Sequence, residues 1–189
     1  MGPYIPSLFL EPEMDAAPLL DLAVRFCARR LGKSEAEVLR DLEGGESEAH
    51  STLRYSIAKG LTEHLARLGR AIQGVYLYGS AMNGDAHVAS DIDLIVIVAQ
   101  RFDEASALLR RLDLALVAAC RERLGTEGVP RSLLDVHLVD VDDEADRRGY
   151  GALVHSTETS PVCLWRHTPR VPGAPLAGSP RAFPLSARE

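Results

Sequence analysis

Apolar residues in the first part of the chain recur at the three- and four-residue steps of amphipathic helices. A first helix is predicted over residues 15–31 and a third over residues 47–68. Between them, Ser34 begins a short second helix, with Glu37 placed to complete a capping box. The pattern therefore predicts that residues 1–70 form an N-terminal helical extension.

After Gly74 the pattern changes to short segments of β-forming residues, separated by turns and longer helical stretches. The predicted elements are strands over 75–78, 91–98, 133–139 and 162–165, and helices over 102–124 and 142–155. The second strand is wholly apolar from Leu94 onward, which is typical of a central strand buried on both faces. The predicted fold class is therefore α/β (α+β in some schemes), with a small mixed sheet packed by helices over residues 71–166.

Neither end of the chain shows a hydrophobic period. Residues 1–14 contain three prolines and predict an irregular arm, and residues 167–189 form a Pro/Arg-rich tail that we expect to pack poorly. The N-terminus lacks the basic and apolar regions of a signal peptide. The longest apolar run, residues 94–99, is too short to cross a bilayer. These features predict a cytoplasmic protein without a membrane partner.

Composition narrows the function by exclusion. Hydrophobic residues make up 46% of the 189, enough for a real core, while the net charge is −6. An acidic chain argues against strong, non-specific binding of nucleic acid, which requires many Lys and Arg contacts to phosphates. Cys27, Cys120 and Cys163 lie far apart, so we expect reduced thiols rather than a disulfide framework or a zinc cluster.

The segment that carries chemistry contains two aspartates at the start of the second strand. Strand alternation places Asp91 and Asp93 on one face, with Ile92 on the other. Two adjacent carboxylates repel each other and lose hydration unless a positive group lies between them. Magnesium fits this position, because it prefers oxygen ligands from one or two carboxylates and substrate phosphates. Asp91 and Asp93 are therefore predicted metal ligands.

Polar and small residues before these aspartates predict a phosphate site. Gly79 and Ser80 directly follow the first strand, where a glycine lets the backbone approach a ligand closely. The Ser80 hydroxyl and the next amides can donate to phosphate oxygens, above all if a helical turn begins there. Ser90 is grouped with these nucleotide-binding residues, although shaping the turn into the second strand is its simpler role.

A third acid is expected from a neighbouring strand. Asp135 begins the third strand, and a sheet that pairs this strand with the second would complete a carboxylate triad. Asp140 and Asp142 are alternatives, but they fall where that strand ends. His137 shares the strand face of Asp135, either as a residue on the acceptor side or as a structural histidine.

The run from Gly79-Ser80 to Asp91-Ile92-Asp93-Leu94 resembles the signature of the DNA polymerase β-like nucleotidyltransferase superfamily. It is most similar to the minimal members, which include antitoxins paired with HEPN-type toxins. The resemblance covers roughly residues 75–165. It implies that Gly79 and Ser80 hold the triphosphate, that Asp91 and Asp93 hold metal ions, and that Asp135 is the third carboxylate.

One position departs from the family pattern. Minimal members often carry Arg between the Gly-Ser pair and the next glycine, where this chain has Asn83. The change removes a cation that could bind phosphate and so puts turnover or nucleotide affinity in doubt. A replacement could come from elsewhere only if the fold brings it in, and the candidates are Arg54, Lys59, Arg131 and Arg166.

The resulting hypothesis is a nucleotidyltransferase that uses two Mg²⁺ ions, with Mn²⁺ as a substitute, to move a nucleoside monophosphate from an NTP, favouring ATP, to a hydroxyl. Asp91, Asp93 and Asp135 are its catalytic residues and its predicted metal ligands, and Asp135 is also the expected base. A hydroxyl on a partner protein, such as a HEPN-type toxin, ranks first among acceptors. A small molecule such as an aminoglycoside ranks second and an RNA end third. The alternative is a non-catalytic, antitoxin-like module that acts by contact.

Overall fold

The computed structural model of the chain describes residues 16–67, 71–99, 103–125, 129–158 and 161–167. The expectations for the arm and for the tail beyond residue 167 lie outside the described residues. Among the described helices, none is both long enough and apolar enough to cross a bilayer.

Three helices precede the sheet, as the periodicity predicts. They are α1 (Ala16–Leu31), α2 (Glu35–Glu43) and α3 (Ser47–Ala66). The capping box of α2 is confirmed, since the Ser34 backbone N–H donates to Glu37 Oε2 at 2.8 Å and the Glu37 N–H donates to Ser34 Oγ at 3.3 Å. Such reciprocal bonds satisfy amides that the helix itself leaves unpaired.

The remaining described elements alternate strands and helices. They are β1 (Ile72–Tyr78), α4 (Ser80–Asn83), β2 (Ile92–Val98), α5 (Asp103–Leu124), β3 (Leu134–Asp140), α6 (Val141–Ala145), α7 (Tyr150–Val154) and β4 (Val162–Arg166). The sheet order is β3-β2-β1-β4. Strands β2 and β3 are parallel, while β1 is antiparallel to both β2 and β4. The predicted mixed α/β sheet with flanking helices is confirmed, with the apolar β2 as an interior strand.

The prediction of one continuous helix over residues 142–155 is wrong. Helices α6 and α7 are separate, and the turn between them contains Arg147 at φ 54° and Gly149 at φ 50°. A right-handed helix cannot pass through two residues with positive φ.

The two faces of the sheet are covered differently. Ile92, Leu94 and Val96 point toward the long helices, and one hydrophobic cluster joins residues of α1, α3 and α5 with β1 and β2. On the opposite face, a small cluster around Ile95 and Ile97 packs against side chains of α7. Asp93 also lies on this second face, because it is two residues from Ile95 and side chains alternate along a strand. The sheet therefore buries its helix-facing side deeply and presents the aspartates on the other.

Candidate metal and nucleotide site

Three aspartates meet at one end of β2 and β3. Asp93 is the direct register partner of Asp135 in the parallel pair, and Asp91 lies two residues earlier on the same face as Asp93. One carboxylate oxygen from each lies within 4.8 Å of the others. Asp91 and Asp93 are partly buried, and the Asp135 side chain is 48% exposed on the edge strand. The expected triad is therefore assembled, with one open side.

The charge at this triad is unbalanced. Burial raises the pKa of Asp93, and the neighbouring charges of Asp91 and Asp135 raise it further, against a smaller opposing effect of His137. Among the described residues, no Lys or Arg forms an ion pair with the three aspartates. Such a cluster favours binding of a cation, because a cation both screens the repulsion and replaces lost hydration. The donor set, three hard carboxylates with solvent access, fits a divalent metal.

Gly79 is required by the packing of this site. Its backbone lies at φ 73° and ψ −154°, a combination that is essentially restricted to glycine. A Cβ at this position would lie 2.7 Å from Cγ of Asp93 and closer still to its carboxylate oxygen. We predicted a glycine that admits a ligand, and the structure shows that it also admits the Asp93 side chain.

Ser80 begins the short helix α4, so the helical turn expected after the glycine is present. The Met82 amide donates to the Gly79 carbonyl at 3.0 Å, and the helix ends at Gly84 with φ 82°. Ser80 is only partly buried. Ser80 lies two residues after Tyr78, which is the register partner of Asp93, so it is close to the aspartates. Phosphate binding by Gly79 and Ser80 stays a prediction.

Ser90 lies in a tight turn directly before Asp91. It is largely buried, its hydroxyl accepts the His87 backbone N–H at 3.0 Å, and its own amide donates to the His87 carbonyl at 2.9 Å. These bonds give Ser90 a turn-shaping role. Nucleotide binding by Ser90 stays a prediction.

Two of the cations considered as substitutes at Asn83 are engaged elsewhere. Asn83 itself is exposed at the end of α4. The Arg54 guanidinium is buried and binds the carbonyls of Ser90 and Val88 behind the triad. Arg166 pairs with Glu144 through both of its terminal nitrogens. Lys59 and Arg131 are exposed.

Aromatic side chains line one side of the triad. His137 Nε2 lies 3.5 Å from Asp135 Oδ2, and its ring stacks on Tyr150 at a centroid distance of 3.5 Å and an interplanar angle of 11°. The Tyr78 ring is 6.4 Å from His137, and burial followed by the charge of Asp93 raises its pKa. Sequence reasoning placed His137 correctly on the face of Asp135 but missed both tyrosines. The position of Tyr78 directly before Gly79 was the available signal.

A comparison of the sequence with models of known protein families identifies a match that includes this site. Residues 60–144 match the family model described as Polymerase beta, Nucleotidyltransferase. The matched segment begins within α3, contains Gly79, Ser80 and all three aspartates, and ends in α6. The resemblance inferred from the sequence is thereby confirmed. No curated protein and no solved structure matches the chain significantly.

Proposed function

We propose that the protein is a Mg²⁺-dependent nucleotidyltransferase. The premise is the polymerase β-type nucleotidyltransferase domain that residues 60–144 match. It moves a nucleoside monophosphate, AMP from ATP in the favoured case, to a hydroxyl acceptor. The observation that carries this proposal is the aspartate triad, whose oxygens lie within 4.8 Å of one another beside the Gly79 turn. A structural role alone would not explain three mutually repelling acids that form no ion pair with a Lys or Arg among the described residues.

Each residue then has a defined role. Asp91 and Asp93, together with Asp135, would hold divalent ions, and such ions would supply stabilisation of negative charge at the α-phosphate and of the acceptor alkoxide. Gly79 and Ser80 bind the β- and γ-phosphates through backbone amides and the hydroxyl. Asp135, the most exposed of the three, accepts the proton of the acceptor hydroxyl. The acceptor oxygen bonds to the α-phosphorus, the bond to the bridging oxygen breaks, and pyrophosphate leaves. Ser90 supports the nucleotide side by shaping the turn.

The acceptor is proposed to be a hydroxyl on a partner protein, such as a HEPN-type toxin in the cytoplasm. The net charge of −6 and the resemblance to minimal family members support this choice. A small molecule or an RNA end is the next option. Mn²⁺ should substitute for Mg²⁺ at a site built from carboxylates.

A non-catalytic binding module is the second candidate. Asn83 replaces the arginine that minimal members often carry, and Arg54 and Arg166 are engaged with other groups. A weakened phosphate site would leave the fold intact as a contact surface for a partner. The triad argues for catalysis, since contact alone does not require it.

The test is incubation with each α-³²P-labelled NTP and Mg²⁺, with cell lysate as the source of acceptor. The Asp91→Asn/Asp93→Asn variant is the negative control, and Asp103→Asn, an exposed acid at the start of α5, is the matched positive control. Transfer by the wild type and Asp103→Asn alone would support the enzyme and identify the acceptor class. Absence of transfer together with absence of metal-dependent NTP binding would reject catalysis and favour the binding module.

A further inference from the structure

Arg54 on α3 is a buried cation that is hydrogen-bonded to the turn over residues 86–90, directly before the triad residue Asp91. It is 3% exposed. Its Nε and Nη2 both donate to the Ser90 carbonyl, at 3.0 and 2.8 Å, and Nη2 also donates to the Val88 carbonyl at 3.0 Å. The third nitrogen, Nη1, donates to His50 Nδ1 at 3.0 Å and contacts the His50 carbonyl at 3.3 Å. All three guanidinium nitrogens of Arg54 are therefore hydrogen-bonded, either to this turn or to His50.

The charge of Arg54 has no carboxylate ion-pair partner within the described ranges of the chain. Burial lowers the pKa of Arg54 to about 10, and the negative charge of Asp91 opposes that change. The guanidinium thus remains charged at neutral pH. A buried, unpaired charge is costly unless hydrogen bonds and nearby opposite charge compensate for it. Here the carbonyls supply the bonds, and Asp91 is an acid close enough to act on it.

Two further α3 residues contribute: Ser51 bonds to the same segment, and His50 holds Arg54 in place. The Ser51 hydroxyl accepts the Ala86 amide at 3.1 Å, four residues before Ser90. His50 Nε2 lies 3.0 Å from the Leu42 carbonyl, while its Nδ1 accepts from Arg54, so the ring is neutral and fixed at both nitrogens. One face of α3 therefore fixes residues 86–90 through several independent contacts.

We propose that Arg54 is a positioning residue for the metal site. By holding the Ser90 carbonyl with two N–H groups, it fixes the peptide that enters Asp91 and hence the direction of the Asp91 carboxylate. It also places one positive charge behind three acids. The proposal rests on the proposed function in one respect, namely that the triad binds divalent metal.

Arginine is required in this role rather than a positive charge alone. Lysine carries one nitrogen, which cannot bind the Ser90 and Val88 carbonyls and His50 in the same fixed plane. Arg54→Lys therefore keeps the charge and loses the fork. Arg54→Met keeps most of the side-chain volume and loses both.

The cavity beside Arg54 provides a chemical rescue. A space of about 320 Å³ is bordered by Arg54, His50 and Cys120, with mostly apolar residues and the acid Glu43 on its other walls. Guanidinium can enter a space of this size in Arg54→Ala and replace the missing donors. A residue that served only to fill the core would not be rescued by a small cation.

The experiment measures Mn²⁺ affinity by electron paramagnetic resonance and exchange of the residue 86–91 amides in metal-free protein. We expect Arg54→Lys and Arg54→Met to weaken Mn²⁺ binding by roughly 10–100-fold, as for other groups that orient metal ligands. Amides of residues 86–91 should exchange faster, and guanidinium should restore both readouts in Arg54→Ala. Leu61→Ala, which creates a cavity on the same helix without touching the turn, is the matched control for destabilisation and should keep its Mn²⁺ affinity.

The outcomes separate this inference from the function on which it rests. Equal Mn²⁺ binding by the wild type and Asp91→Asn/Asp93→Asn would overturn the metal site itself. Normal Mn²⁺ affinity and unchanged exchange in a folded Arg54 variant would overturn the positioning role alone. Circular dichroism identifies the folded variants, and if Arg54→Met does not fold, Arg54→Lys decides between the two results.

Discussion

Two groups of charged side chains lie on the same face of the sheet. In one group opposite charges are paired, and in the other negative charges lie together. In one, Glu144 is buried, receives both terminal nitrogens of Arg166, with Nη2 to Oε2 at 2.9 Å, and lies 4.0 Å from His155 Nε2. Arg166 also donates to the Tyr76 hydroxyl at 2.6 Å. In the other, three aspartates share a space and form no ion pair with a Lys or Arg of the described residues, while His137 Nε2 lies 3.5 Å from Asp135 Oδ2.

The difference separates a structural cluster from a binding site. Paired with Arg166, Glu144 needs no further ligand, and the pair fastens α6 to β4. The aspartates retain their repulsion: burial raises the pKa of Asp93, and the charges of Asp91 and Asp135 raise it further. The aspartates, which no Lys or Arg of the described residues pairs with, are compatible with a bound divalent cation, whereas the paired cluster on the same face needs none.

The largest effect is expected from breaking the unbalanced cluster. Asp91→Asn/Asp93→Asn should lower nucleotidyl transfer by about 10³-fold or more, since several kcal/mol of transition-state stabilisation depend on the metal ions. In EDTA the same variant should unfold at a higher temperature than the wild type, because the repulsion is gone. Calorimetry in EDTA and in Mg²⁺ checks the sign. A variant that is destabilised in EDTA would contradict the repulsion argument.

Gly79→Ala tests the close approach that the triad requires. The added Cβ meets the Asp93 carboxylate, and the backbone at φ 73° disfavours any side chain. We expect a loss of stability of about 1–3 kcal/mol in urea unfolding, together with weaker Mn²⁺ binding. Gly84→Ala is the matched control, since Gly84 has a similar φ of 82° but nothing within 4 Å of the added Cβ. Equal Mn²⁺ affinity in the two variants would exclude a role of Gly79 in shaping the triad.

Breaking the balanced cluster should affect stability without affecting the metal. Glu144→Gln leaves Arg166 without its carboxylate, at a cost of about 1–3 kcal/mol, which is below the value for a fully buried pair because Arg166 is half exposed. The folded variant should bind Mn²⁺ as the wild type does. Urea unfolding and a Mn²⁺ titration are the two measurements. A large change in Mn²⁺ affinity would show that the two clusters are coupled.

A smaller effect is expected from pH. Burial, followed by the charge of Arg54, lowers the pKa of His50 to about 4, and His87 adds a further small decrease. The unfolded chain, with a histidine pKa near 6.5, therefore binds a proton before the folded chain does. Stability is complete above about pH 6.5 and falls as the pH decreases toward 4, by roughly 1–3 kcal/mol. His50→Gln should show a shallower loss over this window in urea unfolding, and identical pH slopes would refute the assignment.

Strand alternation explains how much of the site could be predicted. Asp91 and Asp93 follow from the period of two, and Asp135 follows from the expectation that the third strand pairs with the second. The parallel register that sets Asp93 opposite Asp135 comes from the fold. The role of Arg54 could not be derived, because a cation beside an apolar helix stripe is ordinarily solvated, and only the fold shows which carbonyls it meets. The burial of Glu144 could not be derived either, because an acid in the first turn of a helix is ordinarily solvated, and here its partner Arg166 comes from the distant strand β4. Pairings between distant segments leave no local pattern.

The most direct test of the metal site is anomalous diffraction from crystals of the protein grown with Mn²⁺ and a non-hydrolysable ATP analogue. The account predicts manganese peaks bounded by the carboxylates of Asp91, Asp93 and Asp135, with the triphosphate against Gly79 and Ser80. Manganese bound elsewhere, or an analogue bound without metal at the triad, would contradict it.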